Sequence, residues 1–168
     1  AHVELIDQRL LPGELRVVEA RTLPELCEYI ATLAVRGAPA LGAAGAMGVA
    51  LAAVLGLDRD ESAAVIKATR PTAVNLGWGV DMALAAGDPV AEAVRLAADD
   101  VARNRALGAH GAEVVPEGAR VLTHCNAGHL ACVGWGTALG VIRSAADAGR
   151  RPSVWVDETR PLLQGARL

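Results

Sequence analysis

The feature that most constrains the fold is a long uncharged stretch at residues 37–57, built largely from alanine and glycine. A stretch of this length could cross a bilayer. Its small side chains give little driving force for membrane insertion, so we expect no membrane segment. A helix that is apolar on all sides is instead typical of a protein interior. The stretch therefore predicts a buried helix whose neighbours approach closely.

Composition excludes several classes of protein. Hydrophobic residues make up 52% of the 168 residues, which excludes a disordered chain, and the formal net charge of −3 argues against nucleic-acid binding. Aromatic residues are 2% of the chain, too few for a base-stacking platform. The three cysteines form no C-x-x-C pair, so neither a disulfide framework nor a structural zinc site is expected. No secretory signal pattern opens the sequence, and we expect a cytoplasmic protein.

The first part of the chain predicts a small pair of strands followed by a helix. Residues 1–20 alternate weakly in polarity around a Leu-Pro-Gly turn at residues 11–13. Thr22 and Glu25 form a capping-box signature, so a helix begins there, and we expect it to end near residues 36–37.

Three more helices are expected after the buried one. Asp58 or Asp60 would cap the first of them. Thr72 would cap the second, and Asp88 followed by Pro89 would open the third, which is long. The third helix is expected to place on its inner side Val90, Val94, Leu96, Ala97, Val101 and Leu107.

The pattern changes after residue 112. Short β-branched runs at residues 120–125 and 153–157 enclose a helical pattern at residues 135–148, which indicates a parallel βαβ unit. The fold class predicted is α/β, with a mainly helical N-terminal domain (1–112) that carries short strands. The start of a Rossmann-like parallel sheet (113–168) follows. A parallel sheet usually has more than two strands, so we expect partner material or further chain to complete it.

The end of the first parallel strand is the most informative place for chemistry. Open α/β sheets bind ligands at the carboxyl ends of their strands, where this sequence places Cys125 in the run Thr-His-Cys-Asn-Ala-Gly. Asn126 and Gly128 permit a tight turn, and the amides of the next helix favour an anion. A thiol there can take or return a proton. The alternative is that Cys125 is a small packed hydrophobe.

Two arginines precede apolar helical segments: Arg36 and Arg70. A guanidinium beside free helix amides can hold a phosphate. The alternative for each is a solvated arginine on a neighbouring carbonyl. At the second strand end, Asp157 and Gln164 could bind sugar hydroxyls, although a charged strand-end loop is the ordinary explanation.

Glycines at residues 134–140 nearly match a dinucleotide fingerprint, with Asp157 placed as a ribose ligand. The match is off by one residue and lies too far beyond the strand, so close helix packing is the preferred interpretation. A nicotinamide-dependent oxidoreductase stays as a minor alternative. The histidines show no metal-ligand spacing, and we expect no metal.

Several longer segments carry a family resemblance. They are VRGAPALG (35–42), RPTAVNLGWGVD (70–81), VLTHCNAG (121–128), GTALGVI (136–142) and DETRPLLQGARL (157–168). Together, and with IDQRLLPGEL near the start, they resemble the methylthioribose-1-phosphate isomerases of methionine salvage. That superfamily also holds ribose-1,5-bisphosphate isomerases and regulatory subunits of translation initiation factor 2B.

The resemblance implies an aldose–ketose isomerase that converts a ribose 1-phosphate, such as 5-methylthioribose 1-phosphate, to the ribulose 1-phosphate. It implies no metal and no nucleotide cofactor, and a homodimer. The family's catalytic cysteine corresponds to Cys125. Its phosphate and sugar contacts correspond to Arg36, Gly37, Ala38, Arg70 and Gln164.

One part of the family's site has no counterpart in this sequence. The family's catalytic aspartate lies in a GADRI-like segment that follows the QGARL segment. Asp157 belongs to a different motif. We therefore expect the sequence to hold the N-terminal domain and the first βαβ unit of a longer protein. The competing hypotheses are an inactive fragment and a regulatory module, like the initiation-factor relatives, that senses sugar phosphates or nucleotides.

Overall fold

The computed structural model describes residues 1–167, which form two compact units, Ala1–Ala98 and a second from Asp99 onwards. The division falls inside a long helix, Pro89–Glu113. The domain boundary after residue 112 stays a prediction. Helices, short strands and one parallel pair of strands confirm the α/β class.

The first unit opens with the predicted pair of strands. Strand β1 (Val3–Ile6) and strand β2 (Val17–Ala20) are antiparallel. Helix α1 (Leu23–Ala31) follows, and its capping box is confirmed because the Thr22 hydroxyl and the Glu25 carboxylate bond each other's backbone amides.

Helix α1 ends earlier than the sequence pattern predicts. Its last residue is Ala31, not a residue near 36–37. Leu33 adopts a left-handed conformation (φ 66°), and the Val35 amide then donates to the carbonyl of Tyr29 at 3.1 Å. This arrangement satisfies a terminal carbonyl and turns the chain away from the helix axis.

Helix α2 (Ala38–Val54) is the predicted buried helix. It packs against α1, α3 (Arg59–Thr69) and α4 (Val74–Ala85). The largest fully buried side chains of this unit are Leu26, Ile30, Val49, Ile66, Leu76 and Val80. Burial of such aliphatic side chains is the main stabilising term for a core with few aromatic residues.

The predicted caps are partly confirmed. The Asp58 carboxylate caps α3 by accepting from the Glu61 amide at 2.8 Å. The prediction that Thr72 caps α4 is wrong, since Ala73 occupies the cap position and no side chain bonds the first amides. Asp88 caps helix α5 (Pro89–Glu113) by accepting from the next two amides at 3.0 Å.

The predicted inner side of α5 is wrong at three positions. Val90, Val94 and Leu107 are exposed, whereas Leu96 is buried. Apolar residues occur around much of this helix, so the periodicity of the sequence was compatible with burial of either of two faces. The face that is buried carries smaller or polar residues, Ala93, Asn104, Gly108 and Ala112 among them.

The second unit contains the predicted βαβ pattern. Strand β3 (Arg120–His124) and strand β4 (Ser153–Asp157) are parallel, and helix α6 (Ala138–Asp147) lies between them in sequence. Helix α6 packs on the later part of α5, where a Cβ on Gly111 would lie 2.5 Å from the Val141 side chain. Side chains on the two strands stay accessible, with Leu122 67% and Trp155 70% exposed.

Within residues 1–167, no helix is both long and apolar enough to cross a membrane.

Candidate functional site

The candidate residues fall into two sets, one in each compact unit. Arg36, Gly37, Ala38 and Arg70 belong to the first unit. The second unit holds Cys125, Asn126, Gly128, Asp157 and Gln164.

Arg36 and Gly37 lead directly into α2. Gly37 occupies the cap position with φ 102°, a conformation that favours glycine, and Ala38 is the first helical residue. The Arg36 side chain is enclosed, since the residue is only 7% exposed. No side chain of the described residues caps α2, and its first turn contains no acidic residue.

Arg70 stands in the same relation to α4. It ends α3, and its carbonyl accepts from the Ala73 amide at 2.9 Å. Its Nη1 atom is fully enclosed by protein and has no hydrogen-bond partner in the part of the chain that the structure describes. A buried charged donor of this kind carries a desolvation penalty that an anion would remove. Among the residues that the structure describes, helix α4 also has no side-chain cap, and its first turn contains no acidic residue.

The ends of these two helices differ from those of their neighbours. Helices α1, α3 and α5 begin with side-chain caps from Thr22, Asp58 and Asp88. Those side chains accept hydrogen bonds from the first amides of their own helices. In α2 and α4 the corresponding amides are left to other acceptors. Uncapped amides and the positive end of a helix dipole favour a bound anion.

Helices α2 and α4 cross near their N-terminal ends. A Cβ on Gly42, in the second turn of α2, would lie 3.3 Å from the Asn75 carbonyl oxygen at the start of α4. A Cβ on Gly79 would lie 1.9 Å from the Gly42 carbonyl oxygen. This close crossing lies within the first two turns of both helices, and Arg36 and Arg70 precede those turns in the chain.

In the second unit, Cys125 directly follows β3 and has a left-handed backbone (φ 62°). This is why β3 ends at His124 rather than at the predicted residue 125. The Cys125 amide donates to the Asp157 carbonyl at 2.9 Å, so the cysteine lies at the carboxyl edge of both strands. A non-glycine residue in this conformation is uncommon and is often found at functional sites.

The turn after Cys125 lies at the start of α6. The Asn126 side-chain oxygen accepts from the Gly128 amide at 3.1 Å, which fixes the turn. The Ala127 carbonyl accepts from the amides of Thr137 and Leu139 at 3.0 and 3.3 Å. The turn therefore contacts the N-terminal end of α6, and its own carbonyl engages two of the amides that were expected to favour an anion.

Helix α5 holds the loop between this turn and α6. The Asp100 carboxylate accepts from the Val133 amide at 2.8 Å, and the Asn104 side chain donates to the Gly134 carbonyl at 3.2 Å. Burial, with the nearby Asp100 charge, raises the pKa of Cys132 to about 11. Cys132 is therefore protonated at neutral pH and serves as a buried packing residue.

Asp157 and Gln164 occupy the edge formed by the end of β4. Asp157 is exposed and lies opposite His124, with 3.9 Å between Nδ1 and Oδ2. Gln164 is half-buried, and its side-chain oxygen accepts from the Thr159 hydroxyl.

Glu158 folds the chain back around Gln164. Its carboxylate accepts from the amides of Gly165 and Ala166, each at 2.7 Å. Burial opposes ionisation of Glu158, but hydrogen bonds from the amides of Gly165, Thr159 and Ala166 hold the pKa of this carboxyl below its usual value.

The glycines at residues 134–140 serve packing. Gly136 (φ 94°) lies so close to Gly128 that a Cβ would be 2.7 Å from its carbonyl carbon, and Gly140 packs against Trp135. The guanidinium groups of Arg105 and Arg143 also lie over the indole of Trp135, 4.8 and 4.2 Å from the ring centroid. These contacts account for the glycines without a dinucleotide.

Two features were not predicted from the sequence. The N-terminal strands bring ligand atoms of His2, Glu4 and Glu19 within 4.8 Å of one another on the exposed surface. The pairing of two strands creates this cluster, so linear spacing did not reveal it. Gln8 is 5% exposed and hydrogen-bonds Arg36. Its position in the IDQRLLPGEL segment was the available signal.

Comparison with known proteins identifies the family. Residues 34–168 match the Initiation factor 2 subunit family. The putative methylthioribose-1-phosphate isomerase of Methanosarcina acetivorans is 49% identical, covering 99% of this chain and 53% of that protein. The methylthioribose-1-phosphate isomerase of Albidiferax ferrireducens is 50% identical with the same coverage.

Two crystal structures are also similar. The 5-methylthioribose 1-phosphate isomerase from Pyrococcus horikoshii gives a TM-score of 0.88 at 40% identity, covering 99% of this chain and 53% of that one. The translation initiation factor eIF-2B subunit delta from A. fulgidus gives 0.86 at 49% identity, with coverage of 98% and 54%. The chain belongs to the Initiation factor 2 subunit family. It spans about half the length of the relatives it matches.

Proposed function

We propose that this protein carries part or all of an aldose–ketose isomerase that converts 5-methylthioribose 1-phosphate to the corresponding ribulose 1-phosphate in methionine salvage. The observation that carries this proposal is the similarity over nearly the whole chain to proteins named methylthioribose-1-phosphate isomerase. The geometry of both sets of candidate residues supports it.

The first unit would bind the phosphate. Arg36 and Arg70 would supply positive charge, and the amides of Gly37 and Ala38 at the start of α2 would supply donors. The Nη1 atom of Arg70 has no hydrogen-bond partner among residues 1–167, and this fits a site that takes an anion. Charge-assisted hydrogen bonds from guanidinium groups are among the stronger contacts that a phosphate can make.

The second unit would supply the proton-transfer group. Cys125 would take the proton from C2 of the opened sugar and return it to C1. The ring oxygen gains a proton on opening and the C2 hydroxyl gives one up as the ketone forms, so the isomerisation needs no external oxidant or reductant. Positioned general acid–base catalysis contributes roughly 10²–10⁴ in rate. Asn126 and Gly128 would hold the turn, and Gln164 and Asp157 would contact sugar hydroxyls.

A second candidate is a regulatory module that binds a sugar phosphate or nucleotide and associates with other subunits. The observation that favours it is the similarity to the A. fulgidus structure described as an initiation factor subunit. A thiol in the turn after β3 favours the isomerase, since a sensor has no need of one. The predicted homodimer and the predicted cytoplasmic location stay predictions.

A carbon NMR time course with 5-methylthioribose 1-phosphate tests the proposal. We expect a ketose carbonyl signal to grow with the unsubstituted protein and not with Cys125→Ser. The matched control is Cys27→Ala, because Cys27 is half-buried in the other unit and should leave turnover unchanged. Full turnover by Cys125→Ser would remove the cysteine from the mechanism. Saturable binding without conversion would favour the regulatory module.

A further inference from the structure

Gln8 contacts Arg36 with both ends of its side-chain amide. The Gln8 oxygen Oε1 accepts from Arg36 Nε at 3.3 Å, and Gln8 Nε2 donates to the Arg36 main-chain carbonyl at 3.4 Å. The backbone of Gln8 is itself anchored, because its amide donates to the Ala34 carbonyl at 3.0 Å. Gln8 and Arg36 are only 5% and 7% exposed, so the contact is enclosed by protein.

These two bonds constrain Arg36 at two points. The bond that Gln8 accepts comes from Nε, and it fixes the plane of the guanidinium. This bond does not use the terminal nitrogens Nη1 and Nη2. The bond to the carbonyl holds the backbone directly before Gly37, where the chain enters α2. An arginine that is ordered in advance loses less side-chain entropy when an anion binds.

The charge of the residue that holds Arg36 also affects phosphate binding. Gln8 is neutral, so it orients the guanidinium without adding a negative charge beside it. The neighbouring Arg9 has a different partner, since the Asp7 carboxylate binds it at two points, 2.8 and 2.6 Å. A carboxylate beside Arg36 would lower the attraction of this position for a phosphate.

We propose that Gln8 is a positioning residue that holds the Arg36 guanidinium ready to bind the substrate phosphate. This inference rests on the proposed function, in which Arg36 contacts that phosphate. It assigns a role to the segment after β1, a role that does not depend on contact between Gln8 and the ligand.

Calorimetric titration with 5-methylthioribose 1-phosphate and with inorganic phosphate tests the proposal on the full chain. Gln8→Met removes both hydrogen bonds at similar volume, and we expect Kd for both ligands to rise about tenfold or more. In an Arg36→Ala background the same substitution should have little further effect, because the two residues act as one unit. Gln8→Glu retains an acceptor for Nε but adds a charge, so we expect it also to weaken phosphate binding.

Asp7→Asn is the matched control. It removes a buried ionic contact from the same segment, so it should lower thermal stability and leave both Kd values unchanged. Unchanged Kd values in Arg36→Ala would overturn the phosphate assignment of the proposed function, and the Gln8 role with it. Weaker binding in Arg36→Ala with unchanged binding in Gln8→Met would overturn the Gln8 role alone. Should Gln8→Met fail to fold, wild-type affinity in Gln8→Glu would overturn it.

Discussion

At the scale of single residues, Arg9 and Arg36 illustrate how the hydrogen-bond partner of an arginine defines its role. Arg9 is bound by the Asp7 carboxylate and also donates to the Thr32 hydroxyl at 2.9 Å, so it ties the segment after β1 to the end of α1. Arg36 is held by a neutral amide at the start of a helix without a side-chain cap. The first arrangement stabilises the fold, and the second suits ligand binding.

The Asp7–Arg9 pair predicts how stability depends on pH. The hydrogen bond from Arg9 holds the pKa of Asp7 below its usual value of 3.8. Because the folded state favours the ionised form, the stabilisation is complete above the unfolded pKa and is lost as pH falls through the lower folded pKa. We expect Asp7→Asn to lower the free energy of unfolding at pH 7 by about 1.5–3 kcal/mol. The measurement is urea unfolding between pH 7 and pH 2.

The difference between Asp7→Asn and the unsubstituted protein should shrink below pH 4. A difference that stays constant down to pH 2 would show that the ionised carboxylate does not stabilise the fold.

At the scale of elements, the crossing of α2 and α4 lies beside the proposed anion site. Glycines on both helices let the backbones meet, as the oxygen of Gly42 beside Gly79 shows. Side chains at these positions would separate the two helices and the arginines that precede them. Small residues in this region thus serve packing and the site together.

Two glycines of α4 give opposite predictions. A Cβ on Gly79 would lie 1.9 Å from the Gly42 oxygen, so we expect Gly79→Ala to destabilise the protein by about 1–3 kcal/mol. A Cβ on Gly77 would have no atom within 4 Å, so Gly77→Ala should stabilise it by about 0.4–1 kcal/mol through helix propensity. Thermal and urea unfolding of both variants measure these changes in stability. Equal effects would mean that the backbone contact does not restrict α4.

At the scale of the whole molecule, the parallel strands β3 and β4 present an accessible apolar surface. Every residue of β4 is exposed in the described structure, as is Leu122 on β3. Accessible apolar strands favour association with another surface. The expectation that further material covers the sheet stays a prediction.

Association should therefore depend on this surface. We expect sedimentation velocity to show species heavier than the 17.2 kDa chain, and Trp155→Thr to shift the protein towards that mass. Leu15→Thr is the matched control, because Leu15 is 71% exposed in the other unit and Trp155 is 70% exposed. A monomer at all concentrations, or equal effects of both substitutions, would contradict a role for the strands.

The sequence by itself determined the elements whose signals are local. The alanine- and glycine-rich run indicated a buried helix, since a helix that is apolar on all sides but built from small side chains suits a protein interior better than a membrane. Thr22, Asp58 and Asp88 marked helix starts because their side chains bond amides two or three residues ahead. The parallel strand pair followed from two β-branched runs around a helical one. The longer sequence motifs indicated the family.

Only the tertiary structure decided features that depend on residues far apart in sequence. The end of α1 followed from the left-handed Leu33, and the buried face of α5 followed from its neighbours rather than from its apolar period. The contact of Gln8 with Arg36 spans 28 positions and has no periodic signature. Local patterns encode backbone hydrogen bonding, whereas the choice of packing partner is a property of the assembled core.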